Sequence, residues 1–201
     1  MSTIRKGFLV AIGLLAGGLA VGADGVGPLA VTPASAYSYA AAGKEPLIDA
    51  REAALKAIGE KNWDAAAQAF AGAKDELVYL EDHHHAGLQK ELADAVQARD
   101  EAAVRAVLKI AFAAEIDRRL DGAQQNMKDY QTAKVLVIKA RRFLDAFSGD
   151  IDPAKRKAAE DGLTAALAAI GNPGVFGVGA KTADPEAFKQ AYASVKAALG
   201  L

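Results

Sequence analysis

Residues 77–88 read LVYLEDHHHAGL and gather all three histidines of the 201-residue chain directly behind two carboxylates, Glu81 and Asp82. Imidazole and carboxylate together suit iron, copper, zinc and manganese alike. Residues three and four apart share a face of a helix, so Glu81 and His84 point the same way, in line with Leu77 and Leu88. Asp82 and His85 make a second such pair rotated by one residue. His83 falls on the opposite side, so an unbroken helix cannot bring all three histidines to one ion. A further carboxylate, Glu115, follows Leu108, Ala111 and Phe112 at i+7, i+4 and i+3 and therefore stands on the apolar stripe of its helix. A buried Glu needs a partner. That partner is either a metal shared with Glu81 and His84 or an internal ion pair with Lys134 or Arg141 on the next helix. Asp117, one step off the stripe, is expected to be exposed. The candidate metal ligands are thus Glu81, His84, His85 and Glu115, and the plain alternative is a solvated polar helix end.

Other chemistries find less support. The chain has no cysteine, which excludes disulfides, thiolate metal sites, covalent haem attachment and a cysteine nucleophile, and leaves only N and O ligands. Tyr130 and Lys134 have the spacing of a dehydrogenase pair, yet no glycine-rich phosphate loop follows a strand, which that chemistry requires. Gly174-x-x-Gly177-x-Gly179 follows a helix stop and reads as a flexible loop or a docking tail. Lys139, Arg141, Arg142, Lys155, Arg156 and Lys157 are split over two helices and read as solvated faces. A net charge of −1 gives no field to gather nucleic acid. No nucleophile, base and orienting group occur together, so the chain is read as a non-enzyme.

Helices must position these residues. Hydrophobic residues make up 52% of the chain but aromatics only 6%, and the rest is rich in Ala, Leu, Lys, Glu and Gln, the strongest helix formers. The expected fold is all-α, an up-and-down helical bundle with an additional C-terminal helix. Arg5 and Lys6, the uncharged run 7–21 and Ala34-Ser35-Ala36 read as a secretory signal over residues 1–36. An earlier cut after Val21-Gly22-Ala23 is the alternative site. The apolar run is shorter than the ~20 residues of a spanning helix, so a retained anchor is the lesser alternative. The mature chain is expected in the periplasm without stable membrane insertion.

A flexible lead over 37–45 precedes the bundle, 46–171, which starts at Pro46. Asn62 caps a helix that carries Trp63, Ala67, Phe70, Leu77 and Leu80 and runs into the histidines. Asp100 caps a long helix, and Tyr130 to Phe147 is the most hydrophobic one. Asp152-Pro153 opens another, which Gly171-Asn172-Pro173-Gly174 ends. A Gly-rich loop over 172–183 leads to a last helix over 184–201, opened by Asp184-Pro185. The Asn62-Trp63-Asp64-Ala65-Ala66 and Arg99-Asp100-Glu101-Ala102-Ala103 junctions resemble one another and hint at a helical repeat.

The leader, the Ala-rich hairpins with an Asn-Trp-Asp-Ala-Ala turn, the LEDHHH cluster and the ending Ala-Ile-Gly-Asn-Pro-Gly together resemble, over about residues 45–175, the extracytoplasmic helical domains that accompany FTR1-type iron permeases and imelysin-like proteins. The resemblance implies a helical bundle that delivers iron or another divalent metal to a membrane permease. The membrane helices and the Arg-Glu-x-x-Glu motif of the permease are missing here, as is the imelysin Gly-x-His-x-x-Glu motif, which leaves the accessory role. The expected function is therefore a periplasmic metal-binding accessory for iron or copper uptake, partnered by an inner-membrane permease. The alternative is a non-catalytic structural or protein-interaction bundle without metal. A homodimer is compatible with both.

Overall fold

The computed structural model describes Gly43 and residues 45–201. The expected signal and nearly all of the lead lie outside the described residues. The fold is all-α, with eight helices and no strand among the described residues.

Helix α1 spans Pro46–Gly59, with its proline at the first helical position, where the missing N–H costs nothing. Helices α2 (Trp63–Ala71) and α3 (Lys74–His83) come next. Asn62 caps α2, its side-chain oxygen accepting from the N–H of Ala65 at 3.0 Å. The single helix expected from Asn62 into the histidines is broken at Gly72 and Ala73. Glycine is a poor helix former. Buried Ala73 seats the junction, so Phe70 and Leu77 enter the core from two separate helices.

After α4 (Leu88–Gln97), Asp100 caps α5 (Glu101–Gln125) and Asp129 caps α6 (Tyr130–Ala146). A 3-10 turn, Ser148–Asp150, leads to α7 (Pro153–Ala169), and α8 (Pro185–Leu199) ends the chain. Asp152 and Asp184 cap α7 and α8 ahead of their prolines, as expected from sequence. Most consecutive helices pack on one another, and α5 is the shared wall that touches α3, α4, α6 and α8. Its Phe112 is fully buried, edge-on to Phe143 at 5.4 Å and Phe147 at 5.6 Å.

Two helix backbones come close where α7 meets α8. A Cβ on Gly162 would stand 2.7 Å from Val195 Cγ2 and 3.2 Å from the Ala191 carbonyl oxygen. Buried Ala159, Ala166, Ala191 and Ala198 complete a seam of small residues that lets the two helices close up.

Candidate functional site

The three histidines do not lie on one helix. Helix α3 ends at His83, and the chain then leaves helical geometry, with His84 at φ −129° and the N–H groups of His84 and His85 both donating to the Leu80 carbonyl at 2.9 Å. Gly87 adopts φ +89°, a left-handed turn that opens α4. The helical face expected to align Glu81 with His84 therefore stops one residue short of His84.

Each side chain of the cluster has its own contact. Glu81 Oε2 accepts from the backbone N–H of Gln89 at 2.8 Å and from its side-chain amide at 3.0 Å, so the carboxylate sits on the first turn of α4, where a helix favours negative charge. His83 stacks on Tyr79 with ring centroids 4.3 Å apart, its Nδ1 2.9 Å from the Tyr79 carbonyl. His85 Nε2 lies 3.1 Å from Glu91 Oε2. His84 turns toward α5, its Nδ1 3.7 Å from Asp117 Oδ2.

Asp117, expected to be exposed, is instead the hub of a small polar cluster: Tyr192 donates its hydroxyl to Oδ1 at 2.5 Å, and Lys196 Nζ stands 3.3 Å away. The reason is tertiary, since α8 lies along α5 and brings both residues onto that carboxylate. His84, His85, Asp117 and Lys196, with Lys109 and Ile110, line a groove of about 580 Å3.

Burial, the Asp117 hydrogen bond and the carboxylate charges of Asp117 and Asp121 push the Tyr192 phenol far above the ordinary tyrosine range. An acid whose folded pKa is raised contributes stability that is fully present below its unfolded pKa, about 10 for tyrosine. That contribution is lost as pH rises past this value. Urea titrations between pH 8 and 11 should show the wild type losing stability more steeply above about pH 10 than Tyr192→Phe. Parallel curves would disprove the coupling.

Glu115 is fully buried, as its place on the apolar stripe implies. Its partners are not Lys134 or Arg141. Arg118 and Arg119, three and four residues on along the same helix, reach it at 2.8 and 3.2 Å. Arg119 also donates to Glu45 Oε2 at 3.0 Å, and Lys139 of α6 lies 3.0 Å from Glu45 Oε1. The network thus ties the residue before α1 to α5 and α6. Its field extends to Glu76, whose pKa is raised, first by burial and further by the Glu115 carboxylate, with a backbone hydrogen bond and Arg118 opposing.

Of the four candidate ligands, then, His84 and His85 share a groove, while Glu81 is held at the start of α4 and Glu115 in the buried network. Among the described residues no group of three or more His, Asp or Glu is placed to hold a metal ion. Sequence reasoning missed Tyr192, Arg118, Arg119 and Glu45, and it placed two residues wrongly: Asp117, expected to be exposed, is half-buried, and Lys139, read as part of a solvated face, is buried against Glu45. The two arginines are legible from the i+3 and i+4 spacing, whereas the others depend on which helices meet.

The segment read as a Gly-rich loop has a definite form. Asn172 and Lys181 exchange backbone hydrogen bonds at 2.9 and 2.7 Å, and Val175 and Val178 at 3.1 and 3.0 Å, closing a two-residue hairpin. Phe176 (φ +51°) and Gly177 (φ +82°) occupy the turn with left-handed backbone, the arrangement for which Asn-Gly is the preferred pair. A Cβ on Gly171 or Gly174 would collide with the carbonyl oxygens of Lys181 or Val178, so both glycines are needed for the hairpin to close. Its tip shows Val175, Phe176 and Val178 to solvent, and Phe176 is fully exposed.

No protein-family model, no curated protein and no solved structure matches the chain. Among the described residues no helix is long and apolar enough to cross a membrane.

Proposed function

We propose that this chain is a non-catalytic protein-interaction bundle that engages its partner through the tip of the 172–181 hairpin. The observation that supports this is Phe176. A phenylalanine with left-handed backbone at a turn costs conformational energy, and its side chain, fully exposed, gains no packing among the described residues that would offset this. Asparagine would suit the same turn better. An apolar residue kept where folding gains nothing from it is explained by burial against a second molecule. The carboxylate that a metal site would have drawn on, Glu115, is meanwhile engaged by two guanidinium groups.

The test is a photo-reactive phenylalanine analogue at position 176 in cells that produce the protein, with the same analogue at exposed Glu186 as control. A discrete protein adduct from position 176 alone is the expected result. No adduct above the control would sink the proposal.

The second proposal is a periplasmic accessory that binds iron or copper for an inner-membrane permease. It is favoured by one observation, the opening of His84, His85 and Asp117 into a common groove. Imidazole nitrogen and carboxylate oxygen suit either metal. Elemental analysis of untagged protein checks it: stoichiometric metal that His84→Ala and Asp117→Asn both release would bring this role forward, and metal-free protein would end it.

A further inference from the structure

We infer that the groove between α2, α3 and α4 binds an amphipathic organic anion, a carboxylate carried on an apolar body, with Lys74 holding the charge. The groove formed by the described residues measures about 530 Å3. Its floor is the buried set Phe70, Leu77, Leu92 and Val96, with the half-buried ring of Trp63 in the wall. The flanking positions Ala67 and Ala71 on α2 and Ala93 on α4 carry only a methyl group, so the two helices leave a trough between them instead of interlocking. A mostly apolar recess of this size with a few polar groups at its rim is the form that takes a small organic ligand. Among the described residues none of the hairpin lines it, so the inference does not rest on the interaction proposal.

The rim decides the sign of the ligand. It carries two cations, Lys74 and Arg99, against one carboxylate, Asp64. Asp64 stands in the first turn of α2, where a helix favours negative charge, and Arg99 follows the last turn of α4, where a helix favours positive charge. Each is thus answered by its own helix. Lys74 is not, since it opens α3 at the end where a cation is disfavoured. Asp75 and Glu76 share that turn, yet Lys74 forms no ion pair among the described residues. It also lies beyond the far end of α2 from Asp64, and the nine residues of that helix span roughly 13 Å. A carboxylate on Lys74 is therefore well removed from Asp64, while its apolar body runs along α2 toward Trp63.

Trp63 is the one tryptophan of the chain, so its emission reports on the groove alone. The experiment titrates the full chain with decanoate, decanol and decyltrimethylammonium, which share one apolar chain and differ in charge, following Trp63 emission and binding heat. Saturable binding of one decanoate per chain is the expected result, with decanol weaker and decyltrimethylammonium weakest. Lys74→Gln should weaken decanoate about threefold to fivefold, the scale of an exposed ion pair, and leave decanol unchanged. Asp64→Asn should not weaken decanoate. Ala93→Leu puts a strong helix former at an exposed position and fills the trough, so it should abolish binding of decanoate without disturbing the fold.

No saturable binding of decanoate to the full chain overturns the inference, whether because another part of the chain covers the groove or because the groove does not take such a ligand. Decanol or decyltrimethylammonium bound as tightly as decanoate overturns the choice of an anion, as does a Lys74→Gln chain that binds decanoate like the wild type. Binding that survives Ala93→Leu places the ligand elsewhere and overturns the site.

Discussion

Arg119→Met is expected to destabilise the fold by about 3 kcal/mol, near the lower end of what breaking a buried ion pair costs. For a chain of this size that is a fall in melting temperature of roughly 6–12 °C. Arg119 is 3% exposed, and its guanidinium serves two buried carboxylates, Glu45 and Glu115. Without it Glu45 keeps Lys139 and Glu115 keeps Arg118, which is why the loss stays below that of a fully orphaned charge. A methionine of similar length avoids a large cavity, so the electrostatic part is what the experiment reads. Combining the change with Glu45→Gln should cost less than the two single changes added together, because the Arg119–Glu45 contact can be lost only once, a non-additivity of about 0.5–3 kcal/mol in a double-mutant cycle. Strict additivity in thermal and urea unfolding would show that the network does not act as a unit.

Phe112→Ala should cost more, about 3–5 kcal/mol. The ring is fully buried in the wall that α5 shares with α6, edge-on to Phe143 and Phe147, with the Arg51 guanidinium 5.8 Å from its centroid. Three losses add up here: the transfer of the ring itself, the two aromatic contacts, and the cavity left behind. Alanine is the better helix former, but that offsets only about 0.7 kcal/mol or less. Urea unfolding followed by circular dichroism measures the difference. A cost under about 1 kcal/mol would mean that the aromatic cluster collapses freely around the gap, contrary to the rigid packing expected of a protein interior.

The fold is legible in the sequence because its signals are local. Asn62, Asp100, Asp152 and Asp184 are caps that act within three residues of themselves, and Pro46, Pro153 and Pro185 mark helix starts by fixing one dihedral angle. The burial of Glu115 follows from the apolar stripe, again within one helix. The environment of the histidines does not, because a single departure from helical geometry after His83 redirects every later side chain. Asp117 is misjudged from sequence for a different reason: its exposure is decided by α8, which arrives from 75 residues away to place Tyr192 on it. The hairpin is partly visible as a run of glycines. Its turn type is hidden, because Phe-Gly is not a pair that the turn prefers.

The way the chain closes on itself also sets the order in which it folds. Nearly every helix packs on its neighbour in sequence, so the loops that must close are short and the entropy of closing them is small, which favours rapid assembly from several points at once. An exception is the junction of Glu45 with Arg119, which spans 74 residues. It can form only after α5 and α6 are in place to receive the carboxylate. Glu45→Gln should consequently leave the refolding rate almost unchanged and shorten the lifetime of the native state, making the beginning of α1 the place where unfolding starts.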